Sequence, residues 1–393
     1  MRGTIFAAAL LLGLGAQPAF SQTHPSAPPS APASAPAAAG AANSPGDSPI
    51  WSVGPDRLLF APAGISVPRR AGTVEHYETR EFSHPGEGLD TVLQLRSADR
   101  AVFASVYVYL PSVSHTGLQA IATDAAIQTN PKGGGKLLRS GTASVGGKPR
   151  IAMTAAYSNY LGSLFTTSAF VKAGRWMVKI RASGPQPREA EVSAALKALL
   201  DGLKFEGAYR PRPAEPLEAG ECAASAAGGG DARLLDDKDQ IIGAALFAQL
   251  DAAGEEATGK DAAGKAVPPR IGRTWCRSVL QVGDARAPML RAVSGGRGTG
   301  TGKGVRSELF VLYSDSGGML EVVGLPTEKK HILLNHAIGE TLILGTFDAV
   351  PSDRQLRQLF TQPGENGRVR ASIVMKADGD SELRIAPPPG SGN

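Results

Sequence analysis

The sequence predicts an α+β fold, with antiparallel sheet and packed helices, in each of two successive regions. Two observations predict it. Apolar residues alternate with period two in short runs through residues 73–182 and again through 273–385. Between and after the first of these runs, apolar residues recur at helical spacing instead, near 118–125 and 192–203.

The chain has 393 residues, long enough for two or three domains, and 42% of them are hydrophobic. Residues 1–21 read as a signal peptide. Arg2 supplies the positive start, Ile5 to Gly15 is apolar, and Ala19-Phe20-Ser21 sets cleavage before Gln22. That apolar run is shorter than the roughly 20 residues a membrane-spanning helix needs. No other stretch is long and apolar enough, so no integral span is expected after cleavage. Residues 22–49 are Ala, Pro and Ser with no large apolar side chain, and read as a disordered spacer.

Residues 50–208 read as one domain. Strands are predicted at Thr73 to Phe82, Leu89 to Arg96 and Val102 to Leu110. In the last, Val102, Ala104, Val106 and Val108 alternate with Phe103, Ser105, Tyr107 and Tyr109. A helix follows, capped by Ser114 or Thr116, with Leu118, Ile121, Ala122 and Ala125 on one face. Strands at Lys136 to Val145, Arg150 to Ser158, Ser163 to Lys172 and Arg175 to Ala182 come next. The domain closes on a helix from Pro187, with the stripe Val192, Leu196, Leu199, Leu200 and Leu203.

Residues 209–230 read as a linker and 231–386 as a second α+β domain of no recognised family. It is predicted to hold a helix at Asp237 to Leu250. Strands are expected at Arg273 to Val282, Pro288 to Val293, Ser307 to Tyr313, Met319 to Val323 and Thr341 to Phe347. A helix starts at Ser352, where Ser352 and Gln355 form a capping box. A hairpin pairs Arg368 to Lys376 with Glu382 to Ile385, and residues 387–393 read as a disordered tail.

The first domain resembles the PsbP/DcrB-like family. The residues that carry the resemblance are VFASVYVYLPSVSHTGLQAIATDAAI (Val102 to Ile127) and RWMVKIRASGPQPREAEVSAALKALLDGLKF (Arg175 to Phe205). The resemblance implies a PsbP-like sheet with packed helices, and a non-catalytic binding or assembly module of the kind found in bacterial envelopes. It supplies no site residues.

Charge and cysteine narrow the partners. The net charge is +5, and residues 50–208 hold 18 Lys/Arg against 12 Asp/Glu. That excess suits an anionic envelope component, or an envelope protein of unknown identity. No Lys/Arg stripe interleaves with aromatics, so nucleic acid is not expected. Cys222 and Cys276 are expected to pair, because an exported chain meets an oxidising compartment. The address implied is the periplasm of a Gram-negative bacterium, or secretion.

No motif forms an active site. Gly295 to Gly304 fails the phosphate-loop pattern, with Arg297 where the first Gly belongs and Gly304 where a hydroxyl is needed. Ser314 to Gly318 (SDSGG) matches four of five positions of the trypsin-like nucleophile segment. However, the candidate bases His76, His84 and His115 lie in the other domain, and the segment reads as a turn. His331 and His336 are five apart, a spacing that on a strand puts them on opposite faces, unsuited to one metal. Glu75, Glu78 and Glu81 read as a polar strand that could hide a carboxylate pair. Trp51, Trp176 and Trp275 read as core anchors, with Trp275 placed to pack on the disulfide. No catalytic, cofactor-binding or metal residue is therefore assigned. The expected function is an exported, non-catalytic binding or assembly protein. The alternative is a cell-wall or lipid hydrolase with its site between the two domains.

Overall fold

Three sheets organise the chain. The computed structural model describes residues 50–223, 230–235, 271, 274–293, 306–325, 329–361 and 369–386. The expected signal peptide, spacer, 237–250 helix, glycine-rich loop and tail lie outside these residues.

The first sheet is small and antiparallel: β1 (Trp51–Val53), β2 (Arg57–Phe60), β3 (Ile65–Pro68) and a late-arriving partner at Lys204–Phe205. The second has eight strands. They are β4 (Arg70–Ala71), β5 (Val74–Glu81), β6 (Asp90–Ser97), β7 (Phe103–Tyr109), β8 (Lys136–Val145), β9 (Lys148–Tyr160), β10 (Leu164–Ala173) and β11 (Trp176–Pro185), ordered β4-β5-β6-β7-β11-β10-β9-β8. Every neighbouring pair is antiparallel. Helix α1 (Thr116–Gln128) links β7 to β8, and α2 (Glu189–Gly202) follows β11 and leads into β12 (Lys204–Phe205).

The third sheet takes the second half of the chain. It comprises β13 (Glu218–Glu221), β14 (Leu234–Leu235), β15 (Thr274–Val282), β16 (Ala285–Ala292), β17 (Arg306–Leu312), β18 (Met319–Leu325), β19 (Lys330–His336), β20 (Glu340–Phe347), β21 (Ala371–Met375) and β22 (Ser381–Ile385). Helix α3 (Asp353–Thr361) lies between its last two hairpins. The capping box forms as predicted: Ser352 Oγ accepts from the Gln355 amide at 3.3 Å and Gln355 Oε1 from the Ser352 amide at 3.0 Å.

The α+β expectation is overturned. Among the described residues strand accounts for 54% and helix for 15%, with three α-helices, so the fold is β-rich rather than sheet covered by helices. Alternation was recognised only in its strongest stretches. Some strands, β9, β11, β16 and β18 among them, run longer than the predicted runs, and β1 to β4, β12 to β14 and β19 are not among the predicted strands. Short strands with little alternation are stabilised by pairing across the sheet, which a local pattern does not record.

Each helix is placed by its sequence. In α2, Val192, Ala195, Leu196, Leu199 and Leu200 are buried, and they close the main core with Trp51, Phe60, Phe165 and Trp176. Phe60 lies between Trp51 and Trp176, with ring centroids 5.1 Å away on each side. In α1, small and apolar residues run round the helix, and buried positions occur on several sides. Such a helix is buried all round rather than half-exposed. Leu118 and Ala122 pack with Trp275, Leu290, Phe310 and Met319 of the third sheet, while Ala120 packs with Tyr109, Phe170 and Met177 of the second. Thus α1 lies between two sheets. Its cap is His115, whose Nδ1 accepts from the Gly117 amide at 3.2 Å, rather than Ser114 or Thr116.

Cys222 and Cys276 form a disulfide across 54 residues. It ties β13 to β15, where the strands pair in parallel with Gly220 opposite Cys276. A loop of that length contributes ~4 kcal/mol in the chain-entropy account. Trp275 is buried with its ring 5.3 Å from that of Phe310. Among the described residues no helix is long and apolar enough to cross a membrane.

Candidate ligand-binding face

The two faces of the eight-stranded sheet are set by alternation. Ala104, Val106, Val108, Val178, Ile180 and Ala182 point into the α2 core. Their neighbours along the strands point the other way, and strand register lines them up in rows. One row, from β6 to β10, reads Arg96, Phe103, Ser183, Thr166. The next reads Gln94, Ser105, Arg181, Ser168. A third reads Val92, Tyr107, Lys179, Phe170, and a fourth Asp90, Tyr109, Met177, Lys172. A strand surface of this composition cannot join an apolar core, so something else must cover it or it must face solvent.

Part of it is covered. Helix α1 lies over the β9 and β10 side, and Tyr109 donates from its hydroxyl to Gln119 Oε1 at 3.1 Å. The Ser314-to-Gly318 turn covers the Lys179 region. Lys179 Nζ donates to the Asp315 carboxylate at 2.7 Å and to its backbone carbonyl at 2.8 Å. Gly317 holds φ of +100° beside Pro111 and Gln119, a conformation and a space that favour glycine. Burial pushes the Lys179 ammonium down from its usual pKa, and Asp315 opposes that. Burial also disfavours the Asp315 carboxylate, but Lys179 and then Arg181 outweigh it and hold its pKa below the usual value. Together they form a buried ion pair between sequence-distant elements. Nearby, burial raises Asp90 to about 7, with Lys179 pulling the other way.

The remainder is half-exposed: Gln94, Arg96, Phe103, Ser105, Tyr107, Arg181 and Ser183. Two arginines dominate it. The Arg96 guanidinium lies 4.2 Å from the centroid of the Tyr77 ring, and that of Arg181 lies 4.6 Å from the Tyr160 ring. Tyr77 donates to Gln94 Oε1, and Tyr160 accepts from Asn130 Nδ2 at 3.0 Å, which fixes both rings. Arg181 Nε donates to Thr166 Oγ1 at 3.4 Å, and Thr166 shares a 2.6 Å hydrogen bond with Ser183. Among the described residues neither arginine has a carboxylate within ion-pair distance, whereas Arg70, Arg80, Arg139 and Arg188 each have one. Two carboxylates of adjoining elements are engaged elsewhere: Glu78 on Arg80, Asp315 on Lys179.

The residues singled out in the sequence do not gather. His76 is half-buried on β5, and burial, then Arg69, lowers its pKa. His84 is exposed in a turn. His115 is held to about 4 by burial while it caps α1. Ser316 bonds to Ser314 at 2.8 Å, and Asp315 is taken by Lys179, so the SDSGG segment is a docking turn rather than a nucleophile segment. Glu75 meets Arg69 and Arg70, Glu78 meets Arg80, and Glu81 accepts from the Gly86 and Gly88 amides, so no two of them share a site. His331 lies 2.8 Å from Glu308, and His336, on the other face of β19, lies 2.8 Å from Glu321. Glu321 also accepts from Ser307, and His336 bonds Thr341 at 3.0 Å. That Ser-Glu-His-Thr chain is sealed, with 7% exposure at most, so a substrate has no route to it. Among the described residues no three His, Cys, Asp or Glu side chains group to hold a metal.

Sequence reading missed Arg96, Tyr107, Lys179, Arg181 and Asp315 as a set. The alternation of Trp176, Val178 and Ile180 with Met177, Lys179 and Arg181 did carry a signal: two cations on the back of a core strand require an environment of their own. No family model matches the chain, and no curated protein matches it. Among solved structures it is similar to a protein of Bacteroides thetaiotaomicron VPI-5482, at 9% identity over 61% of this chain and 87% of that chain, with a TM-score of 0.25. A likeness at that score carries no argument about fold or function.

Proposed function

We propose that this chain is an exported, non-catalytic binding or assembly module of a Gram-negative cell envelope, working in the periplasm, and that the half-exposed face of its eight-stranded sheet is the recognition surface. One observation carries the reading: two arginines stand on that face, each held against a tyrosine ring, with no carboxylate within ion-pair distance among the described residues. Half-exposed cations, held against aromatic rings but not neutralised, are suited to an external anionic partner. The disulfide fits a chain that matures in an oxidising compartment. The PsbP/DcrB-like resemblance of residues 50–208 points to the same kind of module.

The test is capture from an envelope extract by the full chain, compared with a Ser105→Trp variant. Ser105 is half-exposed at the centre of the face, between Gln94 and Arg181 in register. Wild type retains one stoichiometric component and Ser105→Trp loses it. Equal retention by both, with the variant's urea unfolding midpoint unchanged, refutes the assignment of this face.

A further inference from the structure

We infer that this face binds an oxyanionic ligand carrying at least two anionic groups, one seated on Arg181 and one on Arg96; the inference rests on the reading of the face as the recognition surface. A guanidinium offers five N–H donors in a planar fork. Stacking on a tyrosine occupies its plane and leaves the edge donors pointing outward, the geometry suited to bidentate capture of phosphate or carboxylate. At Arg181 one donor is spent on Thr166, and the rest have no carboxylate among the described residues. At Arg96 the side chain is held against the Tyr77 ring, with no carboxylate within ion-pair distance among the described residues.

Spacing selects the ligand. Arg96 stands on β6 and Arg181 on β11, with β7 between them and their rows two residues apart, so their backbones lie about 12 Å apart, and the side chains lean toward Tyr77 on β5 and Tyr160 on β9. Ser105 and Phe103 form the floor of that interval, one offering a hydroxyl and the other an apolar surface. A single orthophosphate cannot reach both guanidinium groups. A chain of linked phosphates, or two neighbouring phosphate headgroups of a lipid surface, can. Repulsion from nearby carboxyls is reduced: Glu78 and Asp315 are both ion-paired, and burial raises Asp90 to about 7.

The experiment titrates the full folded chain with sodium tripolyphosphate and with orthophosphate by calorimetry. In parallel it sediments the chain with phosphatidylcholine vesicles with or without phosphatidylglycerol. Either tripolyphosphate binds about tenfold or more tighter than orthophosphate, which assigns a soluble polyanion, or binding is confined to the phosphatidylglycerol vesicles, which assigns a lipid headgroup. In the arm that binds, Arg96→Gln and Arg181→Gln each weaken affinity about tenfold, Arg181→Lys recovers only part of it, and Lys148→Gln, an exposed cation elsewhere on the chain, leaves it unchanged. No saturable binding in either arm overturns the inference, as does an equal loss in all the Gln variants, which reports net charge alone. If Ser105→Trp abolishes capture of an envelope component while neither anionic probe binds, the face recognises other chemistry and only the anion assignment fails.

Discussion

The two faces of the eight-stranded sheet solve the same problem in opposite ways. Both are made by the same strands, one residue out of phase. The α2 face is closed by an aliphatic and aromatic core, with charged pairs such as Arg139–Glu189 at its rim. The opposite face carries Lys179, Arg181, Tyr107, Ser105 and Thr166, and is closed only where α1 and the 314–318 turn reach it. On one strand Lys179 receives an internal carboxylate and Arg181, two residues on, does not. The difference teaches that polarity on this face is not a defect of packing. Where the fold needs a seal it supplies an anion, and where it supplies none the cation is left presented.

Four measurements sharpen or break that contrast. The largest effect is expected on the closed face: Trp176→Ala removes a fully buried ring touching Phe60 and costs about 3–5 kcal/mol in urea unfolding. Slightly below it stands Lys179→Ala, which leaves the Asp315 carboxylate buried without its cation and costs about 3 kcal/mol or more. Lys179→Ala combined with Asp315→Ala recovers most of that loss in a double-mutant cycle, and failure to recover it removes the seal argument.

The third is a pH effect at Asp90. Its folded pKa, about 7, lies above the ordinary 3.8, so the folded state holds the proton more tightly than the unfolded chain does. Its contribution is therefore fully present below about pH 4 and is lost as pH rises through 7, a swing of at most about 4 kcal/mol. Asp90→Asn flattens the stability profile between those limits, and an unchanged slope refutes the burial of this carboxyl. The smallest effect belongs to the open face: Arg96→Gln and Arg181→Gln each change stability by about 1 kcal/mol or less, because neither breaks an ion pair. A loss comparable with that of Trp176→Ala would make these arginines structural rather than presented.

Much of the strand framework was legible because alternation is local. Lys136–Val145 was predicted to the residue, and Val102 to Leu110 lost only its ends in the structure. The pairing of Cys222 with Cys276 was legible from compartment chemistry. The balance of strand to helix was not, since β19 (KHILLNH) reads as an apolar run with polar ends and is a strand only because β18 and β20 flank it. The candidate face was half-legible. The run RWMVKIRA shows Lys179 and Arg181 sharing a side, but Asp315 lies 136 residues further on, and only the folded chain decides which cation it reaches.

Helix α1 belongs to two hydrophobic clusters at once, one facing each large sheet. Neither sheet can lose its order without stripping a wall from the other, so heat melts both in a single calorimetric step whose van't Hoff and measured enthalpies agree.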